Sequence, residues 1–258
     1  MDSFAFKVEP FTEDINGRLA WPILGNQLLR AADYSASLRH FGFANVKEKR
    51  HVWVLSRLII EMNERPSSLE NYDIATWVNR VYRQFTDRLF KISGKDGKTL
   101  GYAHSVWALI DFETRQPISL ESSETQTIRD AVEKTNVPIA ASQRLELTDL
   151  VFEGKCEIRY SDLDINGHVN SISYMRMAID SVFNAFPLSV HPTKHYVQRV
   201  EMKYMRESYF EDRTLHVTIQ PALENVYSVA FFRNAPDGAG QECVVKAIVT
   251  MKPFEEAQ

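Results

Sequence analysis

The chain has 258 residues and a formal net charge of −4, which is enough length for one large domain or two modest ones. Because acidic residues outnumber basic ones, a general nucleic-acid binder, whose surface must neutralise phosphates, is disfavoured. No apolar run approaches the roughly 18 residues of a membrane span. No signal segment or disulfide framework is evident, and the cysteines Cys156 and Cys243 fit a reducing compartment. We therefore expect a cytoplasmic protein without a membrane span.

The first half of the chain predicts a short strand, a polar turn, a helix and then a series of strands. The strand lies within residues 6–12 and the turn at 14–17. Apolar residues at helical spacing follow, and this buried stripe consists of Ile23, Leu24, Leu28, Ala31, Ala32, Ser35 and Leu38. Period-two strands come next, at 52–62, 73–82, 88–92 and 100–110. Residues 120–140 begin like a helix and stop at Pro138, which indicates a linker and a domain boundary near residue 140.

The second half of the chain predicts the same order of elements. Residues 155–161 alternate apolar and polar side chains, as a half-buried strand does. A polar turn leads into a helix whose buried stripe consists of Ile172, Met175, Ala178, Ile179 and Phe183. Further strands are predicted at 197–205, 214–220, 226–233 and 242–251.

Three landmarks recur in the same order, which indicates an internal duplication. The tetrapeptide Asp-Ile-Asn-Gly at 14–17 returns at 164–167, and Arg57 corresponds to Arg199. An Asp-Gly pair, a signal for a hairpin turn, begins at Asp96 and again at Asp237. A helix followed by antiparallel strands is an α+β unit, in which the sheet wraps its apolar face around the helix. We therefore predict two such units, residues 1–140 and 141–258.

The second polar turn, SDLDINGHVNSIS, has the alternating oxygen-bearing side chains of a calcium-binding loop. Asp162, Asp164 and Asn166 precede a glycine as in such a loop, but its last ligand must be a glutamate, and Ser173 stands there. A calcium loop of this kind also follows a helix, whereas a strand is predicted here. The pattern therefore favours organic chemistry over metal binding.

Asp164, Asn166 and His168 in DINGHVN, together with Glu207 in KYMRES, resemble the motifs of the fatty acyl-ACP thioesterases. In that family an Asp-x-Asn-x-His run leads into the central helix of the second domain, and a glutamate follows in a Tyr-Arg-Arg-Glu-like segment on the next strand. The resemblance covers essentially the whole chain. It implies two tandem hot-dog units, each a central helix wrapped by an antiparallel sheet. It also implies hydrolysis of fatty acyl-[acyl carrier protein] to free fatty acid and carrier protein, without cofactor or metal.

The resemblance makes Asp164, Asn166, His168 and Glu207 the candidate catalytic residues. Thioester hydrolysis needs an activated water, donors for the oxyanion and a proton for the departing thiolate. Glu207 is the candidate base, and His168 holds the same water or donates to the carbonyl or the sulfur. Asn166 can both accept and donate hydrogen bonds, and Asp164 is expected to orient its neighbours. A purely structural role in the turn is an equal alternative for Asp164.

The start of the second helix supplies a further expectation. The backbone N–H groups of Val169 and Asn170 are expected to be unpaired there and to stabilise the oxyanion. Plant members of the family usually carry a cysteine directly after the glutamate and begin with a transit peptide. Ser208 stands at the cysteine position and no transit peptide is seen, so we expect attack by water and a bacterial relative.

The first repeat keeps Asp14 and Asn16 but has Arg18 in place of the histidine. This difference predicts one working site per chain, in the second unit, and a first unit that holds the acyl tail.

The sequence does not decide which carrier bears the acyl group, where that carrier docks, or whether the protein is a monomer or a dimer. An acyl-CoA thioesterase and a non-catalytic acyl-thioester sensor share the fold, although the intact candidate residues favour an enzyme. Because an acyl carrier protein is acidic, a basic docking surface is expected, and a merely solvated charged face is an equal alternative. The docking candidates are Lys47, Lys49, Arg50, Lys194, Arg199, Lys203 and Arg206. Two fused units allow either a monomer or a homodimer.

Overall fold

The computed structural model describes residues 1–142, 145, 148–222 and 225–254. The chain divides into two units, Met1–Ala140 and Ala141–Gln258. None of the helices within the described ranges combines the length and the apolar character that crossing a bilayer requires.

The first unit packs one long helix against an antiparallel sheet. Its strands are β1 (Asp2–Lys7), β2 (His51–Met62), β3 (Asn71–Val81), β4 (Phe85–Gly94) and β5 (Thr99–Asp111). Its helices are α1 (Trp21–Ser37), α2 (Phe43–Glu48) and α3 (Gln126–Asp130). The strands pair in the order β1-β3-β4-β5-β2, and each neighbouring pair is antiparallel.

Helix α1 follows the predicted apolar stripe except at Leu38, which caps the helix and is exposed, so its predicted burial was wrong. Pro22 lies in its first turn, where the fixed φ of proline suits the helix and its missing N–H leaves nothing unpaired. Leu24, Leu28, Ala31 and Ser35 recur on one face and are all buried. Burying each leucine side chain contributes about 2 kcal/mol, so the stripe holds the helix against the sheet.

The second unit repeats this arrangement. Its elements are β6 (Phe152–Glu157), α4 (Ser171–Ala185), β7 (His195–Tyr204), β8 (Thr214–Pro221), β9 (Val226–Asn234) and β10 (Gln241–Pro253). The strands pair in the order β6-β8-β9-β10-β7, again antiparallel. Asn170 caps α4, because its side chain accepts the N–H of Ile172 at 2.8 Å. The predicted α+β class is confirmed.

Both units carry the same irregularity in the same strand. In β2 the register against β5 shifts at Ser56, directly before Arg57. In β7 the register against β10 shifts at Gln198, directly before Arg199. Each shift inserts one extra residue and bends the strand. Because regular pairing does not produce such a bulge, its recurrence shows the duplication in the backbone itself.

Local structure departs from the sequence prediction at three places. Strand β6 ends at Glu157 rather than residue 161, because the chain then forms a 3-10 turn at Tyr160–Asp162. Strand β1 ends at Lys7 and does not continue through residue 12. Of the predicted linker helix, only α3 is α-helical in the described residues, after a 3-10 turn at Ser123–Thr125. No sequence pattern predicted the short helix α2.

Candidate active site

One carboxylate organises the polar turn before α4. Asp164 Oδ1 accepts the backbone N–H of Asn166 at 2.8 Å and that of His168 at 3.2 Å. The N–H of Asp164 in turn donates to the carbonyl oxygen of His168 at 2.8 Å. Gly167 has a φ of +78°, a left-handed conformation that any side chain would strain. Asp164 therefore holds the backbone of the turn and fixes the point from which the His168 side chain projects.

His168, Glu207 and Tyr209 meet at the end of this turn. His168 Nδ1 lies 3.4 Å from Glu207 Oε1, and the Tyr209 hydroxyl donates to Glu207 Oε2 at 3.1 Å. The rings of His168 and Tyr209 meet edge to face with centroids 4.9 Å apart. The His168 and Glu207 side chains are 22% and 33% exposed, so the pair is partly buried and still open to solvent. An imidazole and a carboxylate in this position can exchange protons with a bound water or substrate.

Arg233 of β9 binds the backbone of Glu207 and two neighbouring acidic side chains. Its guanidinium donates to the carbonyl oxygen of Glu207 at 2.8 Å, lies 3.2 Å from Glu242 and 3.8 Å from Asp212. It also faces the Tyr209 ring, 5.9 Å from the centroid. Sequence reasoning missed Arg233, which is distant in the chain, and Tyr209. The one available signal for Tyr209 was its position two residues after Glu207, which places both side chains on one side of an extended segment.

The backbone N–H groups expected to stabilise the oxyanion are already paired. Val169 donates its N–H to the carbonyl oxygen of Ser208, and Asn170 donates to that of Asp162, each at 2.8 Å. The expectation was wrong because the turn uses these two amides to dock onto the segment after β7 and onto the preceding 3-10 turn. Donors for an oxyanion must therefore come from elsewhere in the site.

Asn166 lies at the tip of the turn and is exposed. Within the described residues its side-chain amide makes no hydrogen bond, although its backbone N–H is held by Asp164. The amide is therefore available to a ligand, and its catalytic role stays a prediction.

Ser208, which stands where plant relatives carry cysteine, is completely buried. Neither its hydroxyl nor that of the nearby Tyr174 makes a hydrogen bond of normal geometry within the described chain. Burial raises the pKa of the Tyr174 phenol above its usual range, with the Ser208 hydroxyl acting in the opposite direction. A buried hydroxyl that makes no hydrogen bond to a base within the described chain is poorly placed to attack a thioester.

Ser208→Ala is therefore expected to change kcat/KM by less than about threefold, because the variant removes a buried and poorly paired hydroxyl. Thiol release from acyl thioesters, measured on the variant and the parent protein, checks this. A loss of two orders of magnitude or more would contradict it and restore a nucleophile at this position.

The first unit preserves the backbone of this site. Arg18 forms the same isolated antiparallel bridge, to Ser67, that His168 forms to Tyr209. The residue after each bridge residue donates its backbone N–H to the opposite segment. Leu19 donates to the carbonyl oxygen of Pro66, and Val169 donates to that of Ser208, each at 2.8 Å. The corresponding pairs are therefore Arg18 with His168, Arg65 with Glu207, and Ser67 with Tyr209.

The side chains at these positions in the first unit form a closed network. Arg65 Nη2 lies 2.7 Å from Asp14 Oδ2, and Arg18 Nη1 donates to Glu64 at 3.1 Å and to the Ser67 hydroxyl at 2.7 Å. A guanidinium stays protonated and offers no acceptor, so neither arginine can act as a base. The first unit therefore keeps the backbone scaffold of the site and lacks the imidazole and the carboxylate of His168 and Glu207.

One residue of the predicted docking surface, Arg199, lies in the interior. Arg199 is 7% exposed, and its Nε donates to Glu201 at 2.9 Å. Its guanidinium belongs to the interior beside the β7 bulge, so it cannot contribute to a surface. The other candidates are exposed: Lys47, Lys49, Arg50, Lys194, Lys203 and Arg206. Across the described ranges, no group of His, Cys, Asp and Glu side chains could hold a metal ion.

Comparison with known proteins agrees with this architecture. A family model of the acyl-ACP thioesterase N-terminal domain matches residues 4–128, and one of the C-terminal domain matches residues 146–242. A chloroplastic acyl-[acyl-carrier-protein] hydrolase from Cuphea viscosissima is 27% identical over 67% of this chain and 43% of its own length. A chloroplastic palmitoyl-acyl carrier protein thioesterase from Gossypium hirsutum is 28% identical over the same shares. The chain thus spans under half the length of these curated relatives.

Solved structures match over a larger part of the chain. An acyl-ACP thioesterase from Bacteroides thetaiotaomicron is 39% identical with a TM-score of 0.82, over 97% of both chains. The 12:0-ACP thioesterase from Umbellularia californica is 20% identical with a TM-score of 0.77, over 98% of this chain and 97% of that one, which supports the fold. The chain is therefore a double hot-dog protein, as the sequence predicted. It belongs to the acyl-ACP thioesterase family.

Proposed function

We propose that this protein hydrolyses the thioester of fatty acyl-[acyl carrier protein] to a free fatty acid and the carrier-protein thiol. The observation that carries the proposal is the partly buried contact between His168 and Glu207, with Tyr209 binding the second carboxylate oxygen. Relatives named as acyl carrier protein hydrolases and thioesterases support the substrate class.

In the proposed reaction, Glu207 removes a proton from water. The water oxygen attacks the thioester carbon, and His168 and the Asn166 amide donate to the resulting oxyanion. The C–S bond then breaks, and the proton held by Glu207 passes through His168 to the sulfur. Asp164 is a positioning residue, since its carboxylate binds the turn that carries His168.

Release of free thiol tests the activity directly. The purified protein is incubated with acyl carrier protein and with coenzyme A, each bearing the same acyl chain. We expect faster release from the carrier protein. Release from coenzyme A alone would make the chain an acyl-CoA thioesterase, and no release from either, with acyl thioester still bound, would make it a sensor.

We propose that the first unit holds the acyl tail. A cavity of about 180 Å³ in this unit is lined on one side by α1, through Leu29, Ala32 and Ala36. Phe41 and Trp53 contribute to the other walls. A predominantly apolar cavity of this kind suits an aliphatic chain. The loss of the acid–base pair in this unit agrees with a binding role.

Ala36→Phe is expected to shift the chain-length preference of the enzyme toward shorter acyl groups. The added ring fills part of the cavity, so kcat/KM should fall about tenfold for the longest accepted chains and little for short ones. Rates across a series of chain lengths check this, with the exposed Ala44→Phe of α2 as the matched control. An equal loss at every length, with an unchanged melting temperature, would contradict the assignment of the cavity.

Acyl carrier protein is the proposed partner, and the exposed basic residues near α2 and β7 are suited to steer an acidic protein. The cytoplasmic location and the choice between monomer and homodimer stay predictions from the sequence.

A further inference from the structure

The wall of the first unit's cavity carries a buried positive charge. Arg88 of β4 lines the cavity and is 4% exposed, and Thr86, which lines it as well, is also 4% exposed. The two residues are separated by one position in the strand, so their side chains point to the same face. Burying a guanidinium beside apolar side chains is unfavourable unless partners compensate the charge.

The protein supplies Arg88 with neutral partners. Arg88 Nη1 donates to Ser35 Oγ at 3.1 Å and to Thr76 Oγ1 at 3.3 Å. The nearby acid Asp2 accepts instead from Arg39 and from Ser35. Within the described chain no carboxylate lies at ion-pairing distance from Arg88, and its Nε and Nη2 groups make no hydrogen bond. Burial, with the charge of Arg39, lowers the pKa of Arg88 to about 10, so the guanidinium is still charged at neutral pH.

The remaining polar groups of the cavity are mostly occupied. The indole N–H of Trp53 donates to a backbone carbonyl, and that of Trp107 donates to a serine hydroxyl, each at 2.8 Å. One oxygen of Asp33 accepts a backbone N–H at 2.7 Å. The N–H groups of Arg88, the Thr86 hydroxyl and the second carboxylate oxygen of Asp33 thus remain as polar groups in a predominantly apolar cavity.

We propose that the cavity selects acyl chains that carry a hydrogen-bond-accepting oxygen, a hydroxyl or a carboxylate, which Arg88 and Thr86 bind. The aliphatic part of such a chain contacts Leu29, Ala32, Ala36 and the two tryptophans. A plain alkyl chain leaves the donors of Arg88 unpaired and displaces any water that binds them, so it is the poorer ligand. This inference rests on the proposed function for the assumption that the ligand arrives as an acyl thioester.

Binding is measured with amide analogues of acyl-pantetheine, which cannot be hydrolysed as thioesters are. At each of several chain lengths, calorimetry compares an alkyl analogue with analogues bearing a terminal hydroxyl or a terminal carboxylate. The proteins are the parent chain, Arg88→Met, Arg88→Lys and the matched surface control Arg80→Met, an exposed arginine of β3. Thermal melting establishes which variants fold.

We expect the parent chain and Arg80→Met to bind an oxygen-bearing analogue at least about tenfold more tightly than the alkyl analogue at the best length. Arg88→Met should abolish or reverse this preference, and Arg88→Lys should retain part of it. An alkyl preference of the parent chain at every length would overturn the inference, even if Arg88→Met does not fold. So would an unchanged preference in a folded Arg88→Met. Thiol release from acyl-ACP is measured separately: release without the binding preference rejects this inference alone, and the preference without release rejects the proposed function alone.

Discussion

Glu207→Gln is expected to lower kcat by at least about a hundredfold, because general acid–base groups typically contribute that much or more. Glutamine keeps the size of the side chain and an oxygen that can still accept from the Tyr209 hydroxyl. It loses the capacity to take a proton from water. KM should change little, since the substitution leaves the shape of the site intact. Initial rates of thiol release from acyl-ACP, at saturating and subsaturating substrate, separate the two constants.

The matched control for this variant is Glu211→Gln, an exposed glutamate in the turn that follows. The same chemical change there should leave kcat within about twofold, as surface substitutions away from special features usually do. If Glu207→Gln turns over at a near-normal rate while the protein remains folded, Glu207 is not the base.

His168→Ala is expected to reduce kcat/KM by about a hundredfold or more. The alanine variant removes the donor proposed for the oxyanion and the path by which the proton reaches the sulfur. It also removes the ring that packs edge to face on Tyr209, so the Tyr209–Glu207 contact loosens. Rates with acyl-ACP, together with thermal melting, distinguish loss of chemistry from loss of structure.

The exposed His191 provides the control for that variant, and His191→Ala should behave as the parent protein does. Comparing the two active-site variants also tests the division of roles. A much larger loss in His168→Ala than in Glu207→Gln would indicate that the imidazole is the base and the carboxylate its positioning residue. Rates close to normal in both variants would remove the site assignment altogether.

The two units share a backbone scaffold and differ in the side chains at the candidate site. The bridge and the crossing hydrogen bond are the same in both, but the first unit has Arg18 and Arg65 where the second has His168 and Glu207. Arg65 pairs with Asp14, the counterpart of Asp164, and also donates to the carbonyl oxygen of Leu19 at 2.7 Å. Sequence comparison could have found this replacement, because the alignment that matches Arg57 to Arg199 also places Arg65 on Glu207.

Two expectations about exposed or unpaired groups failed because tertiary packing occupies or buries those groups. The N–H groups of Val169 and Asn170 were expected to be free because a helix start leaves them unpaired, but two nearby backbone carbonyls accept them. Arg199 was expected on the surface because arginine usually lies there, but Glu201 pairs with it in the interior. The carbonyls that accept the two amides lie outside the helix, whereas Arg199 and Glu201 share strand β7, and local pattern does not show that this part of the strand is buried.

The amino-acid sequence by itself determined the long helices and most of the strands, their repetition, and the motif to which the proposed chemistry is assigned. Helical and alternating apolar periods depend on neighbours a few residues apart, so they are readable without the fold. Only the tertiary structure decided that Tyr209 and Arg233 hold Glu207, that two helix-start amides are occupied and that Arg88 faces a cavity. These contacts depend on how distant segments pair. In a strand, a register shift of one residue would turn each side chain, such as that of Arg88, to the opposite face of the sheet.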